Sequence, residues 1–147
     1  MRIVRWLGGL VAAATVGVVA LTGAPAAAGH GGGGIRLHYV ATIRVDIGTG
    51  PEYFKVRLIH SDDIQAAFAS QNYESNQFIN GKILRPYPDV NTGYTWRLDP
   101  HDLAFVDVSM EVCDGSPTDV ENGTLTSDRY CPWASRVVDM QTLWVST

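Results

Sequence analysis

Ile35-Arg36-Leu37-His38-Tyr39-Val40-Ala41-Thr42-Ile43-Arg44-Val45-Asp46-Ile47 alternates with a period of two along its whole length. Ile35, Leu37, Tyr39, Ala41, Ile43, Val45 and Ile47 fall on one face. Arg36, His38, Thr42, Arg44 and Asp46 fall on the other, with Val40 the exception. Successive side chains of a strand point to opposite faces, so this stretch predicts a half-buried β-strand. Gly48-Thr49-Gly50-Pro51 follows as a turn cluster, and Phe54, Val56 and Leu58 then alternate with Lys55 and Arg57. The connection is short, so the two strands form a hairpin.

Downstream, Ser61-Asp62-Asp63 reads as a helix start. A serine caps a free backbone N–H, and carboxylates suit the positive end of the helix dipole. Ile64, Ala67 and Phe68 keep helical spacing to about Ser70, and the polar run Gln71 to Gln77 is a loop. Phe78 to Leu84 predicts a third strand, bent at Gly81. Pro86 and Pro88 frame a loop reaching Asn91-Thr92-Gly93, and Tyr94, Trp96 and Leu98 alternate as a fourth strand. Asp99-Pro100-His101-Asp102 reads as a turn. Val106, Val108, Met110 and Val112 then alternate as a fifth strand. Ser116-Pro117-Thr118-Asp119 has the order of a cap, a first-turn proline and a first-turn acid, opening a short helix that ends near Asn122-Gly123. Ser135 to Val145 is a last strand. About six strands and one or two short helices, without regular strand–helix alternation, give an α+β class. Its expected form is a mainly antiparallel sheet with the helices on one side; a β-sandwich is the runner-up.

The chain has 147 residues, 46% of them hydrophobic and 18% charged, which suits one globular domain. Residues 1–28 read as a signal peptide. Arg2 and Arg5 precede an uncharged apolar stretch from Trp6 to Leu21, and Ala26-Ala27-Ala28 fits the cleavage rule. Residues 29–34 form a glycine-rich leader, and residues 35–147 the domain. Cleavage near Ala28 predicts a secreted protein with no membrane attachment afterwards. The full chain carries a net charge of −4, and loss of Arg2 and Arg5 takes it to −6. That sign, with no basic stripe, disfavours nucleic acid as a partner.

Cys113 and Cys131 are the only cysteines. An even count in an exported chain predicts a disulfide, and their spacing lacks the short Cys-x2-Cys step of zinc sites.

No nucleophile elbow, phosphate loop, zinc-protease helix or dinucleotide fingerprint is present. His60 with Asp62 and Asp63 reads first as a strand end and helix cap, and His38 as a solvated residue on a polar face. Ser135 has no base supplied by its sequence neighbours. His101 with Asp99 or Asp102 is the candidate constellation for a small secreted hydrolase, although Asp-Pro-His-Asp is also ordinary turn chemistry. Asp114, Asp119, Glu121 and Asp128 cluster in sequence around the cysteine loop and can offer calcium its hard oxygen ligands. Their spacing does not match an EF-hand, and a solvated acidic loop is the plainer reading. The remaining signal is aromatic: Tyr87, Tyr94, Trp96, Tyr130 and Trp133 fall in two segments that a disulfide can bring near each other. Exposed rings stack on sugars or grip a protein partner. Trp96 and Trp133 lie in or beside strands and read first as core. A binding surface near the disulfide predicts at least one exposed ring among Tyr87, Tyr94, Tyr130 and Trp133.

Four segments carry a resemblance: Tyr53-Phe54-Lys55-Val56-Arg57-Leu58, Asn91-Thr92-Gly93-Tyr94-Thr95-Trp96-Arg97-Leu98-Asp99-Pro100, Met110-Glu111-Val112-Cys113-Asp114, and Cys131-Pro132-Trp133-Ala134-Ser135-Arg136-Val137-Val138. In motif order they resemble the BP-seventy-four amino-terminal domain family of small exported bacterial proteins, many actinobacterial. The resemblance implies export, one domain and the cysteine pair, and supplies no catalytic residue. The family pattern carries Trp and His where this chain has Tyr94 and Arg97, so no histidine role transfers there. The expected function is a secreted single-domain binding module for a protein or glycan, without a cofactor. The alternatives are the His101 hydrolase and a calcium-stabilised structural domain.

Overall fold

The computed structural model describes residues 35–146; the signal-peptide and leader readings lie outside them. β1 (Ile35–Ile47) and β2 (Gly50–Leu58) form the expected antiparallel hairpin, closed where Ile47 faces Gly50. Strand β2 starts earlier than expected, taking in Pro51. Proline's missing N–H is tolerated there because β2 is an edge strand. The last strand, β6 (Ser135–Ser146), pairs antiparallel with the other side of β1, giving the order β2-β1-β6. A register shift lies between Thr42 and Ile43, and there the Val137 N–H donates to Ser70 Oγ at 3.2 Å.

Helix α1 (Ser61–Gln71) follows β2. His60, not Ser61, holds its N-cap position, and no side chain caps it; Ser61 Oγ donates to Asp62 Oδ1 instead. The second sheet has the order β4-β3-β5, with β3 (Phe78–Leu84) central, β4 (Arg97–Val106) on one side and the two-residue β5 (Arg129–Tyr130) on the other.

Strand β4 corrects two readings. Gly81 pairs with Leu103 but Ile83 pairs with Leu98, so Asp99-Pro100-His101-Asp102 is a bulge inside one strand and not a turn between two. Gly81 permits it: a Cβ there would lie 2.9 Å from Leu98 Cδ1 and 3.0 Å from Leu103 Cβ. The expected fifth strand does not form. Pairing stops where Val106 faces Phe78, the first residue of β3, and no backbone remains for Val108, Met110 or Val112 to pair with. All three are exposed, and the chain turns through a 3₁₀ segment at Glu111–Cys113. Helix α2 (Pro117–Asn122) follows the sequence reading closely. Ser116 and Asp119 form a reciprocal capping box, and Gly123 ends the helix in the left-handed region at φ 73°.

One core joins the two sheets. Ala41, Ile43, Val45, Phe54, Val56, Leu58 and Val137 line the first sheet, and Ile79, Trp96, Leu98, Leu103 and Tyr130 come from the second sheet or its borders. The rings of Phe54, Trp96 and Tyr130 meet with centroids 5.3–5.5 Å apart. Such tilted and edge-on aromatic contacts stabilise beyond their buried area. Buried Asn91 closes the core on one side: its Nδ2 donates to the Trp96 carbonyl and its Oδ1 accepts from Lys55 N, each at 2.9 Å. This pins the 85–96 loop along the open edge of β2, which would otherwise offer unpaired backbone. A smaller apolar cluster of Phe78, Cys113 and Cys131 surrounds the disulfide. The two cysteines are bonded, with Cα atoms 5.1 Å apart. Among the described residues no helix is long and apolar enough to cross a membrane.

Candidate functional site

The five candidate binding rings separate by environment. Trp96 and Tyr130 have no exposed surface and are core, not platform. The Tyr130 hydroxyl donates to the Gly115 carbonyl at 3.1 Å, and burial pushes its ionisation strongly up. Tyr94 is half-buried against Trp96, with centroids 5.4 Å apart; burial, then the Glu52 and Glu121 carboxylates, push its hydroxyl up. Tyr87 is exposed on a different surface from the disulfide cluster and lines a cleft with His101.

Trp133 is not core: 45% of it is exposed. Local geometry sets this. Cys131 is tied to Cys113, and Pro132 is buried. The Trp133 backbone N–H donates to Asp114 Oδ1 at 2.9 Å, while Ser135 Oγ donates to the Pro132 carbonyl and Asp46 N to the Ala134 carbonyl. The turn before β6 is thereby fastened at four points, with the indole turned outward beside Phe78, centroids 6.5 Å apart.

Two clefts flank this indole. One, of about 210 Å³, is lined by Phe78, Asp107, Val108 and Ser109. The other, of about 350 Å³, is mostly polar, with Asp46, Tyr73, Ser75, Asn76, Gln77 and Arg136 around it. Tyr73 is 76% exposed and stands at the end of α1 with φ 62°, a conformation that side chains other than glycine adopt at a cost. The Arg136 guanidinium lies 4.5 Å from its ring centroid, a cation–π contact that fixes the ring's place at the cleft. Sequence reasoning passed over Tyr73 inside the polar run Gln71 to Gln77. A lone aromatic in a loop directly after a helix was the signal available.

The hydrolase constellation does not assemble as a relay. Asp99 Oδ1 accepts the backbone N–H of His101 at 3.0 Å, and Asp102 Oδ1 accepts from Arg129 Nη1 at 2.9 Å. His101 instead meets His60, ring centroids 5.9 Å apart. The groove holding both is lined by Arg36, Leu37, His38, Arg57, Ile59 and Pro100, with no serine, threonine or cysteine among its lining residues. Ser135 lies at the Trp133 cleft. Asp63 is half-buried near His60; burial raises its carboxyl above the ordinary 3.8, His60 opposing and Asp62 adding to the shift.

Three of the four loop acids are taken up by separate structural duties. Asp114 accepts from Gly115 and Trp133, Asp119 from Ser116, and Glu121 from the backbone and hydroxyl of Thr95. Asp128 is exposed, and its carbonyl accepts from Ile83 N. Hydrogen bonds from Ser116 hold the Asp119 carboxyl below its ordinary value. Among the described residues no three His, Cys, Asp or Glu side chains are placed to share a metal ion.

Searches of curated proteins and of solved structures each found no match. A family model described as the BP-seventy-four N-terminal domain matches residues 39–143. The match runs from Tyr39 in β1 to Leu143 in β6, so it takes in both sheets, the disulfide and the Trp133 cleft. The chain belongs to the BP-seventy-four N-terminal domain family.

Proposed function

We propose that this chain is an exported, disulfide-stabilised binding module that holds a glycan at the cleft between Trp133 and Tyr73. The observation that carries this reading is a half-exposed indole on a firmly fastened turn, facing a polar cleft that ends at a second exposed ring. Sugars present C–H faces that stack on aromatic rings and hydroxyls that need planar polar partners. The Asn76 and Gln77 amides and the Asp46 carboxylate are partners of that kind, and the Ser75 hydroxyl adds a donor or acceptor beside them. A cleft of about 350 Å³ suits one or two sugar rings. Export rests on the reading of residues 1–28 and on the disulfide, which persists in oxidising compartments.

The test is binding of the full chain to soluble oligomers of N-acetylglucosamine, glucose and mannose. Trp133→Ala and Tyr73→Ala should each weaken a bound oligomer by about 1–2 kcal/mol or more. Affinity unchanged in both variants would overturn the reading. A protein ligand is the second reading, favoured by Val108, 83% exposed, beside Trp133 in the smaller cleft. Loss of partner binding in Val108→Asp, with sugar binding absent, would select it.

A further inference from the structure

On another part of the surface, β1 runs beyond the end of β2. Pairing with β2 stops at Tyr39–Leu58, so Ile35 to His38 have no strand partner on that side. The groove left there, about 680 Å³, is roofed by the β4 bulge through Pro100 and His101. The chain has four histidines, and the three among the described residues, His38, His60 and His101, all line it. Arg36 and Arg57 line it with them, and an adjoining cleft adds Arg97 next to His101. Among the described residues three buried side-chain polar atoms lack a protein partner, and two of them, His38 Nδ1 and Arg57 Nε, belong to this groove.

We propose that this groove is a second binding site, for a multivalent oxyanion, and that acidification strengthens it. The charges facing the histidines are close to balanced at neutral pH. Arg36 on β1, Arg57 on β2 and Arg97 on β4 are opposed by Asp89, which is paired with Arg57, by Asp99, and by Asp62 and Asp63 in the first turn of α1. Histidine is the side chain that gains charge between about pH 8 and 5. Protonating three imidazoles therefore turns a near-neutral groove cationic, in a domain whose net charge is otherwise negative. The His60 and His101 rings meet edge to face, so two imidazolium ions there repel, and an anion bound beside them in the groove offsets that repulsion. Anion and proton binding thus favour each other, as linkage requires. The three guanidiniums argue against the rival use of a histidine pair, a bound metal cation.

The experiment is titration calorimetry of the full chain with pyrophosphate and with citrate, at about pH 5.5 and 7.5, in two buffers of different protonation enthalpy. The expected result is binding at least about tenfold tighter in acid, with net proton uptake. The exposed-site variants His60→Gln/His101→Gln and Arg36→Gln serve as controls, each checked for unchanged near-ultraviolet circular dichroism. The histidine pair variant should lose most of the tightening in acid and most of the proton uptake, keeping only what His38 and the probe's own ionisation supply, and Arg36→Gln should weaken binding at both pH values. Binding of pyrophosphate alone assigns a phosphate ligand, and of citrate alone a carboxylate ligand. Absence of binding by both probes in acid would overturn the proposal. So would equal affinity at the two pH values, or a tightening in acid that the histidine pair variant keeps in full.

Discussion

Trp96 and Trp133 have closely similar sequence settings. Each follows a loop rich in turn residues and shortly precedes a strand. Yet Trp96 has no exposed surface, while Trp133 shows nearly half of its own. The difference lies in what fastens each backbone. Asn91 holds the Trp96 carbonyl and ties the loop to β2, which turns the indole inward onto Phe54 and Tyr130. At Trp133 the disulfide and Asp114 take hold of the backbone, and the indole faces outward. Position near a strand does not decide burial for a large ring; the polar anchors around it do.

Five changes break or sharpen this contrast. The largest effect belongs to Trp96→Ala, which opens a cavity among Phe54, Tyr94 and Tyr130 and should lower stability by about 3–5 kcal/mol in denaturant unfolding. Removing the bridge with Cys113→Ala/Cys131→Ala should come next. The sequence separation is 18, and a closed loop of that size contributes about 3 kcal/mol in the chain-entropy model. That variant also loosens the mount of Trp133, so binding at the cleft should weaken even in the folded fraction.

Smaller effects come from the α2 cap. Ser116→Ala should cost about 1 kcal/mol, read as a shifted unfolding midpoint. Its pH dependence has a definite sign. The Asp119 carboxyl is depressed in the folded state, so its contribution is present above the ordinary value of 3.8 and is lost as pH falls through the lower folded value. The stability difference between wild type and Asp119→Asn should therefore narrow on acidification through that range; a gap constant with pH would contradict the capping account. Smallest is Trp133→Ala, whose stability should stay within about 0.5 kcal/mol of wild type. A loss approaching that of Trp96→Ala would make Trp133 a core residue.

The parts of the fold written locally were legible in the sequence. Both bounds of β1 and β3 follow from alternation and turn residues, and α2 from a cap, a proline and a closing glycine. What escaped was tertiary. Val108, Met110 and Val112 alternate as well as any strand here, but no backbone is left to pair with them. Asp99 to Asp102 has turn chemistry, and only the approach of Leu98 and Leu103 to Gly81 makes it a bulge. Strand β5, two residues long, is too short to carry a pattern. Of the cleft, Trp133 was legible as an aromatic beside the disulfide, whereas its pairing with Tyr73 depends on the C-terminal end of α1 meeting the start of β6. The three histidines of the second groove are likewise far apart in sequence and near only in the fold.

The most direct test of the binding account follows the indole N–H signals of Trp96, Trp133 and Trp144 by NMR during titration with the oligosaccharide that binds best. The account predicts that the Trp133 signal moves and saturates with the binding curve while those of Trp96 and Trp144 stay in place. A Trp133 signal that stays fixed at saturation would contradict it.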